Sequence, residues 1–430
     1  MKYAFLANAS VGHTNFMISL AQKFIEKGEN VVFYLPGVKN KLIRKLLDSP
    51  SLFIDEKLNK LKIPCKILKV SISQFLLSSK IKTKRGLKEV IFALKVFAKG
   101  GKHYTAVLEK EFNQNMPDCI IYDYTFFSAI SISEKYKIPR IAVYHSGLPF
   151  VEYPIPPVGI KAKYNSLSLN EYNTIYKGFK QIDVSIKADY QKIANQKINT
   201  DFLLSPNSNF LNIISTIKEA EYPRTKLPDN VFFVGSGVSK KIKDRSNFIE
   251  KKGKKLIYIS FGTVFNNRSD LFIKIIKSIE ITDAIILVSA GGSYNKLSKC
   301  SFNDNVHIEK FVPQQKVLQN TDLFITHGGK NSINEALNIG VPMILFPFGG
   351  EQEYNANLIE YLGVGIRITE KEINKTTDRL GSLIEHILTN NDIQSKSRYL
   401  SELHENKEGS LTAYKIINDK LSREHEASLI

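Results

Sequence analysis

The sequence predicts an α/β protein built as two Rossmann-like halves, each a parallel sheet covered by helices. Apolar runs such as Leu256-Ile257-Tyr258-Ile259, Ala284-Ile285-Ile286-Leu287-Val288 and Leu323-Phe324-Ile325 alternate with helix-length segments, as parallel strands buried on both faces require. At 430 residues and 43% hydrophobic content, the chain is long enough for two domains with a core each. Near the other end, Tyr3-Ala4-Phe5-Leu6-Ala7 reads as a further buried strand leading into an amphipathic helix. No Gly-x-Gly-x-x-Gly turn follows that strand, which argues against a dinucleotide oxidoreductase.

The first strand runs into Ser10-Val11-Gly12-His13-Thr14-Asn15, so His13 occupies a strand-to-helix elbow, where a histidine is ordinarily a loop or capping residue. A second strand, Cys119-Ile120-Ile121-Tyr122, delivers Asp123 at its C-terminal edge, beside the expected position of the first strand's loop. Asp123 could equally cap a helix starting near Thr125. The aromatic and proline-rich stretches 144–150 and 154–157 suit the wall of a lipophilic pocket, and suit bare surface loops as well. Charge-rich segments between Gly237 and Lys255 mark a linker, which sets expected domains at 1–237 and 255–395 around a linker at 238–254.

In the second half, Asp322-Leu323-Phe324-Ile325-Thr326 reads as a strand, followed by a glycine-rich loop at His327-Gly328-Gly329 and a helix opening near Asn331. Unpaired N–H groups and the positive end of the helix dipole would face the contents of that loop, making it an anion site. Ser332-Ile333-Asn334-Glu335 fits a capping box that needs no ligand. Asn331 and Glu335, however, lie four apart on one helical face, with His327 just before them, so a ribose-diphosphate could span that face. Glu351 and Gln352 follow the apolar run Met343-Ile344-Leu345-Phe346, at the strand end where open α/β sheets bind ligands.

Three widely spaced cysteines, Cys65, Cys119 and Cys300, show no metal-ligand spacing and suit a reducing compartment. The first apolar stretch is broken at Asn8, unlike a signal peptide, and no segment approaches a membrane span, so a soluble cytoplasmic protein is expected. The formal charge of +18 is spread along the chain with no nucleic-acid module, and is read first as compositional bias. The basic stretch 79–88 followed by the apolar stretch 90–97 reads first as a core helix behind a charged loop and second as a peripheral membrane contact.

Together, Phe311-Val312-Pro313-Gln314, His327-Gly328-Gly329-Lys330-Asn331-Ser332, Glu335, Gly340-Val341-Pro342, Glu351-Gln352 and Asn355-Ala356 resemble, in order and spacing, the C-terminal signature of the family-1 UDP-glycosyltransferases. The bacterial macrolide-glycosylating and plant natural-product branches of that family share this signature. The resemblance covers nearly the whole chain and is specific mainly from Leu256 to Ala356. It implies a glycosyltransferase-B fold, two Rossmann-like domains facing across a cleft, with residues from about 396 to 430 packing back on the first. It further implies that Phe311 stacks on the base, the Val312 backbone reads its edge, and Gln314 lies near the nucleoside. Glu335 would hold the ribose hydroxyls, His327, Gly329, Asn331, Ser332 and Thr263 would meet the diphosphate, and Glu351 with Gln352 would read the sugar. Two positions depart from the family: Phe311 stands where Trp is usual, in a chain with no Trp, and Lys330 where many relatives carry Trp or Met. The smaller platform leaves uridine against thymidine open.

In the N-terminal half, Gly12-His13-Thr14-Asn15 matches the family turn whose histidine deprotonates the acceptor hydroxyl, and Asp123 matches its orienting carboxylate. The resemblance therefore implies inverting transfer of a sugar, glucose from UDP-glucose being favoured, to a hydroxyl of a small lipophilic natural product. His145 and Phe150 are candidates to line the acceptor pocket. No Asp-x-Asp pair of the cation-holding kind is found, so neither metal nor cofactor is expected beyond the nucleotide-sugar co-substrate. The expected partners are donor and acceptor, with no nucleic acid; acceptor identity, regiochemistry and oligomeric state stay open. The alternatives are a nucleotide-sugar isomerase of the same fold, like a UDP-N-acetylglucosamine 2-epimerase, and a non-catalytic accessory protein of another transferase.

Overall fold

The protein is described from a computed structural model, which covers residues 1–37, 54–69, 87–145, 148–237, 248–262, 266–279, 284–375, 378–405 and 407–428. The chain divides into two compact units. Unit 1 comprises Met1–Ile160, Asn165–Gly237 and Lys407–Ile430, and unit 2 comprises Lys161–Tyr164 and Val238–Asn406.

Unit 1 contains β1 (Lys2–Leu6), α1 (Val11–Glu26), β2 (Asn30–Gly37), α2 (Ile54–Lys60), β3 (Cys65–Lys69), α3 (Leu87–Gln114), β4 (Cys119–Asp123), α4 (Ser128–Tyr136), β5 (Arg140–Tyr144), α5 (Leu169–Ala194), β6 (Leu211–Ile214) and β7 (Val231–Phe233). The strands form one parallel sheet in the order β3-β2-β1-β4-β5-β6-β7. Side chains alternate across a strand, and the sequence exploits this on both faces. Ala4, Leu6, Ile120, Tyr122, Ala142 and Tyr144 join one buried cluster with Leu94, Leu108 and Phe112 of α3 and Ile186 and Tyr190 of α5. Tyr3, Phe5, Cys119, Ile121, Ile141 and Val143 join the other, with Phe16, Leu20 and Phe24 of α1. Each fully buried aliphatic or aromatic side chain contributes about 1.5–3 kcal/mol, so the two-sided strands carry much of the unit's stability. α3 is thus a core helix, while the basic stretch before residue 87 lies outside the described residues.

Unit 2 contains β8 (Lys255–Ser260), α6 (Ser269–Lys277), β9 (Ala284–Ser289), α7 (Tyr294–Leu297), β10 (Val306–Glu309), α8 (Gln314–Leu318), β11 (Leu323–Thr326), α9 (Lys330–Ile339), β12 (Met343–Leu345), α10 (Glu351–Tyr361), β13 (Gly365–Arg367), α11 (Glu370–Lys375), α12 (Asp378–Thr389) and α13 (Asn391–Glu405). Its parallel sheet has the order β10-β9-β8-β11-β12-β13, and Ile257, Ile259, Ile286, Val288, Leu323 and Ile325 join one buried cluster while Tyr258, Leu287 and Phe324, alternating with them, are buried too. The last helix, α14 (Gly409–Ser428), packs against α1 and places Ala413 and Ile417 in unit 1.

The return to unit 1 comes at residue 407, not near 396 as the sequence suggested. Residues 396–405 belong to α13, whose Leu400 and Ser401 are buried and which packs on α9, where the Ser401 hydroxyl donates to the Asn338 carbonyl at 2.9 Å. Of the expected linker, 238–247 lies outside the described residues, and Lys251 is paired with Asp322 of unit 2. No helix among the described residues is long and apolar enough to cross a membrane.

Candidate active site

Each sheet reverses its strand order once, between β1 and β4 in unit 1 and between β8 and β11 in unit 2. Ligands of open α/β sheets bind outside the C-terminal strand ends at such points. The candidate residues lie at both.

In unit 1, β1 feeds the turn that opens α1, and β4 ends on Asp123 beside it. His13 Nδ1 lies 2.5 Å from Asp123 Oδ2, the short contact of a charge-assisted hydrogen bond. His13 is about one-fifth exposed and Asp123 fully buried. The other carboxylate oxygen accepts the Thr125 backbone N–H at 2.8 Å and its hydroxyl at 2.6 Å, and Asn8 Nδ2 donates to that hydroxyl at 2.8 Å. Burial pushes the Asp123 carboxyl up, but the two imidazoles of His13 and His145 and the hydrogen bonds prevail and hold it at about 2. Asp123 does not cap a helix, because α4 starts only at Ser128, after Phe127; its second oxygen closes a turn onto Thr125.

His145 follows β5 and reaches the same point, its ring centroid 3.8 Å from that of His13 and its Nδ1 4.0 Å from Asp123 Oδ2. Burial, aided by His13, pushes its imidazole down to about 3. Phe150, expected at the acceptor wall, is buried in the unit 1 core against Tyr144, with its backbone carbonyl held by Arg224. The apolar side chains of Tyr144, Leu148 and Phe150 are therefore spent inside the domain.

In unit 2, β11 ends at Thr326, and His327, Gly328 and Gly329 lead into α9 at Lys330. Gly328 has φ +85°, where an L side chain would be strained. A Cβ at Gly329 would lie 2.7 Å from His327 Nε2, and one at Gly262 2.7 Å from His327 Cε1, so two glycines make room for the imidazole. Burial holds the His327 imidazole down near 4, hence neutral. The Asn355 side chain donates to the Gly328 carbonyl at 2.9 Å and fixes the loop from α10.

Gly329 is the residue before α9, so Ser332 and Glu335 lie inside the helix and do not form the capping box. Instead Glu335 Oε2 accepts from Gln314 at 2.5 Å and Oε1 from Gln315 at 3.3 Å, while Gln314 also donates to the Ser332 hydroxyl at 3.1 Å. Burial raises the Glu335 carboxyl above its usual value, opposed by the two glutamines. Phe311 is 66% exposed, an aromatic face open beside this cluster's loop, with Val312 next to it half-buried. Asn331 is half-buried in the first turn of α9, and Lys330 is buried at its first position. Glu351 and Gln352 open α10, where Gln352 is buried and its Oε1 accepts the Phe348 backbone N–H at 2.9 Å. Thr263 lies outside the described residues.

The sequence reading missed three supports: Thr125 and Asn8 behind Asp123, and Gln315 beside Glu335. Asn8 gave no local signal, since its partner is 117 residues away.

The profile of the UDP-glucoronosyl and UDP-glucosyl transferases matches residues 173–409, over half of the chain. The NDP-glycosyltransferase YjiC of Bacillus subtilis (strain 168) is 25% identical over 401 residues, covering 91% of this chain and 90% of that protein. Among solved structures, CalG4, the calicheamicin glycosyltransferase, superposes with a TM-score of 0.76 at 15% identity, covering 98% of both chains. The spinosyn rhamnosyltransferase SpnG, complexed with thymidine diphosphate, superposes with a TM-score of 0.68 at 11% identity, covering 97% of this chain and all of that one (100%). With two parallel-sheet units of the glycosyltransferase-B fold, the chain belongs to the UDP-glucoronosyl and UDP-glucosyl transferase family and is a UDP-glycosyltransferase.

Proposed function

We propose that the enzyme transfers a sugar, glucose from UDP-glucose first among the candidates, to a hydroxyl of a small lipophilic natural product with inversion and without a metal. The observation that carries this reading is the 2.5 Å contact between His13 Nδ1 and Asp123 Oδ2. With Nδ1–H donated to the carboxylate, Nε2 is left as the basic nitrogen, and Asp123 offsets the charge of the imidazolium once it forms. Nε2 takes the acceptor proton, the oxygen forms its bond to the anomeric carbon from the opposite face, and the bond to the nucleoside diphosphate breaks.

Charge on the leaving diphosphate would be met by the N–H groups at the start of α9, with Asn331, Ser332 and neutral His327 as donors. Glu335, held by Gln314 and Gln315, would accept the ribose hydroxyls, and Phe311 would stack on the base. Glu351 and Gln352 are assigned to the sugar hydroxyls, and His145 to the acceptor side.

UDP release from UDP-glucose, with chelator present, against phenolic, macrolide and terpenoid alcohols, tests the reading when product mass is followed in parallel. A sugar-sized mass gain on an acceptor supports it. Turnover of donor without any glycoside refutes transfer and favours an isomerase, and activity confined to thymidine donors replaces the base.

A further inference from the structure

The polar groups around Asp123 are well satisfied, with one exception. His145 is 3% exposed, and neither of its ring nitrogens has a hydrogen-bond partner. An unsatisfied buried polar group costs about 1–3 kcal/mol, and native interiors keep few of them. His145 is no isolated defect. Its Nδ1 lies 4.0 Å from Asp123 Oδ2, its ring lies over His13 at a centroid distance of 3.8 Å, and the ligand atoms of the three residues all fall within 4.8 Å of one another.

Two imidazoles and one carboxylate are the donor set of zinc-class ions, whereas magnesium and calcium call for oxygen ligands. Metal–ligand bonds of about 2.0–2.2 Å in a tetrahedral site put the ligand atoms roughly 3.3 Å apart. The distances to Asp123 Oδ2, 2.5 Å from His13 and 4.0 Å from His145, bracket that value. Displacements of less than about 1 Å would equalise them. All three residues belong to unit 1: Asp123 ends β4, His145 follows β5, and His13 lies in the first turn of α1.

We propose that His13, Asp123 and His145 bind a zinc-class divalent transition-metal ion, and that occupancy switches the transferase off. The ion takes the place of the proton shared between His13 and Asp123. Three metal–ligand bonds form and the His13–Asp123 hydrogen bond breaks; the Nδ1 proton goes to solvent and Nε2 takes one back, so the imidazole stays neutral with its hydrogen on Nε2, with no net proton release and no change of oxidation state. With its ring nitrogen and its orienting carboxylate both engaged by the metal, His13 can no longer accept the acceptor proton. Metal binding stands without the proposed function; only the switch rests on His13 being the base.

Metal-stripped full-length protein is titrated with Zn2+ by calorimetry and with Co2+ by visible absorption, without donor or acceptor. The expected result is one Zn2+ per chain at micromolar or tighter Kd, the visible bands of four-coordinate Co2+, and no binding of Mg2+. His145→Phe fills the site without a ligand nitrogen and should weaken Zn2+ at least tenfold and abolish the Co2+ bands. Asp123→Asn serves as the second variant should His145→Phe fail to fold by circular dichroism. Absence of stoichiometric binding, or wild-type affinity in a folded variant of either kind, would overturn the site. Zn2+ should then inhibit UDP release where Mg2+ does not, and full activity of the Zn2+-loaded enzyme would overturn the switch.

Discussion

Asp123→Asn probes the dyad without disturbing its shape. In the wild type, one carboxylate oxygen faces His13 Nδ1 at 2.5 Å and the other accepts from the Thr125 N–H and hydroxyl at 2.8 and 2.6 Å. An asparagine keeps one acceptor, so it must choose. Turning its oxygen to His13 would set its NH2 against two Thr125 donors and forfeit both bonds, at about 0.5–1.5 kcal/mol each. The oxygen therefore stays with Thr125 and the NH2 faces His13, whose Nδ1 becomes the acceptor and whose Nε2 carries the hydrogen. The proposed base is lost while the Thr125 turn survives. General-base catalysis contributes about 10²–10⁴-fold, so kcat should fall by roughly that factor, equivalent to about 3–5 kcal/mol of barrier. UDP affinity by calorimetry should be unchanged, because the residues proposed to hold the donor lie in unit 2.

Stability adds an independent readout of the same substitution. The folded carboxyl lies at about 2 against an ordinary 3.8, so its contribution is fully present above pH 3.8 and lost as the pH falls toward 2. That difference amounts to about 2 kcal/mol, which the asparagine forfeits at neutral pH and the wild type forfeits only in acid. Melting curves of the two proteins should converge toward pH 2. An asparagine variant within about threefold of wild-type kcat would refute the tautomer argument.

Three further outcomes are expected. Glu335→Gln should weaken UDP binding; because burial raises the carboxyl, the wild type should lose stability as the pH rises from the ordinary 4.5 through the folded value, whereas the variant, which does not titrate, should not, and calorimetry with pH-resolved melting checks both. Phe311→Ala should weaken UDP by about fivefold to thirtyfold, from the loss of about 1–2 kcal/mol of stacking, with Phe311→Trp equal to or tighter than wild type by the same titration. Gly329→Ala places a methyl 2.7 Å from His327 Nε2 and should displace the imidazole, lowering UDP affinity with little change in the circular dichroism spectrum of the fold.

The strands were legible because parallel strands buried on both faces must be apolar along their whole length, as in Cys119–Tyr122 and Leu256–Ile259. The glycine loop at 327–329 was legible because positive φ and close approach leave a residue type behind. Local pattern misled where two structures share one signature. Ser332 and Glu335 have capping-box spacing, but α9 starts two residues before Ser332, so the carboxylate is free to meet Gln314 and Gln315. Phe150 has the composition of a pocket wall and is spent on the core.

Sequence by itself determined the fold class, the glycine loop at the head of α9, and the pairing of His13 with Asp123 as candidates. Only the tertiary structure decided that Asn8, Thr125 and His145 converge on that pair and that α13 stays with unit 2. The reason is topological: strand order brings residues 110 apart in the chain to 2.5 Å, and no local periodicity records which strand lies next to which.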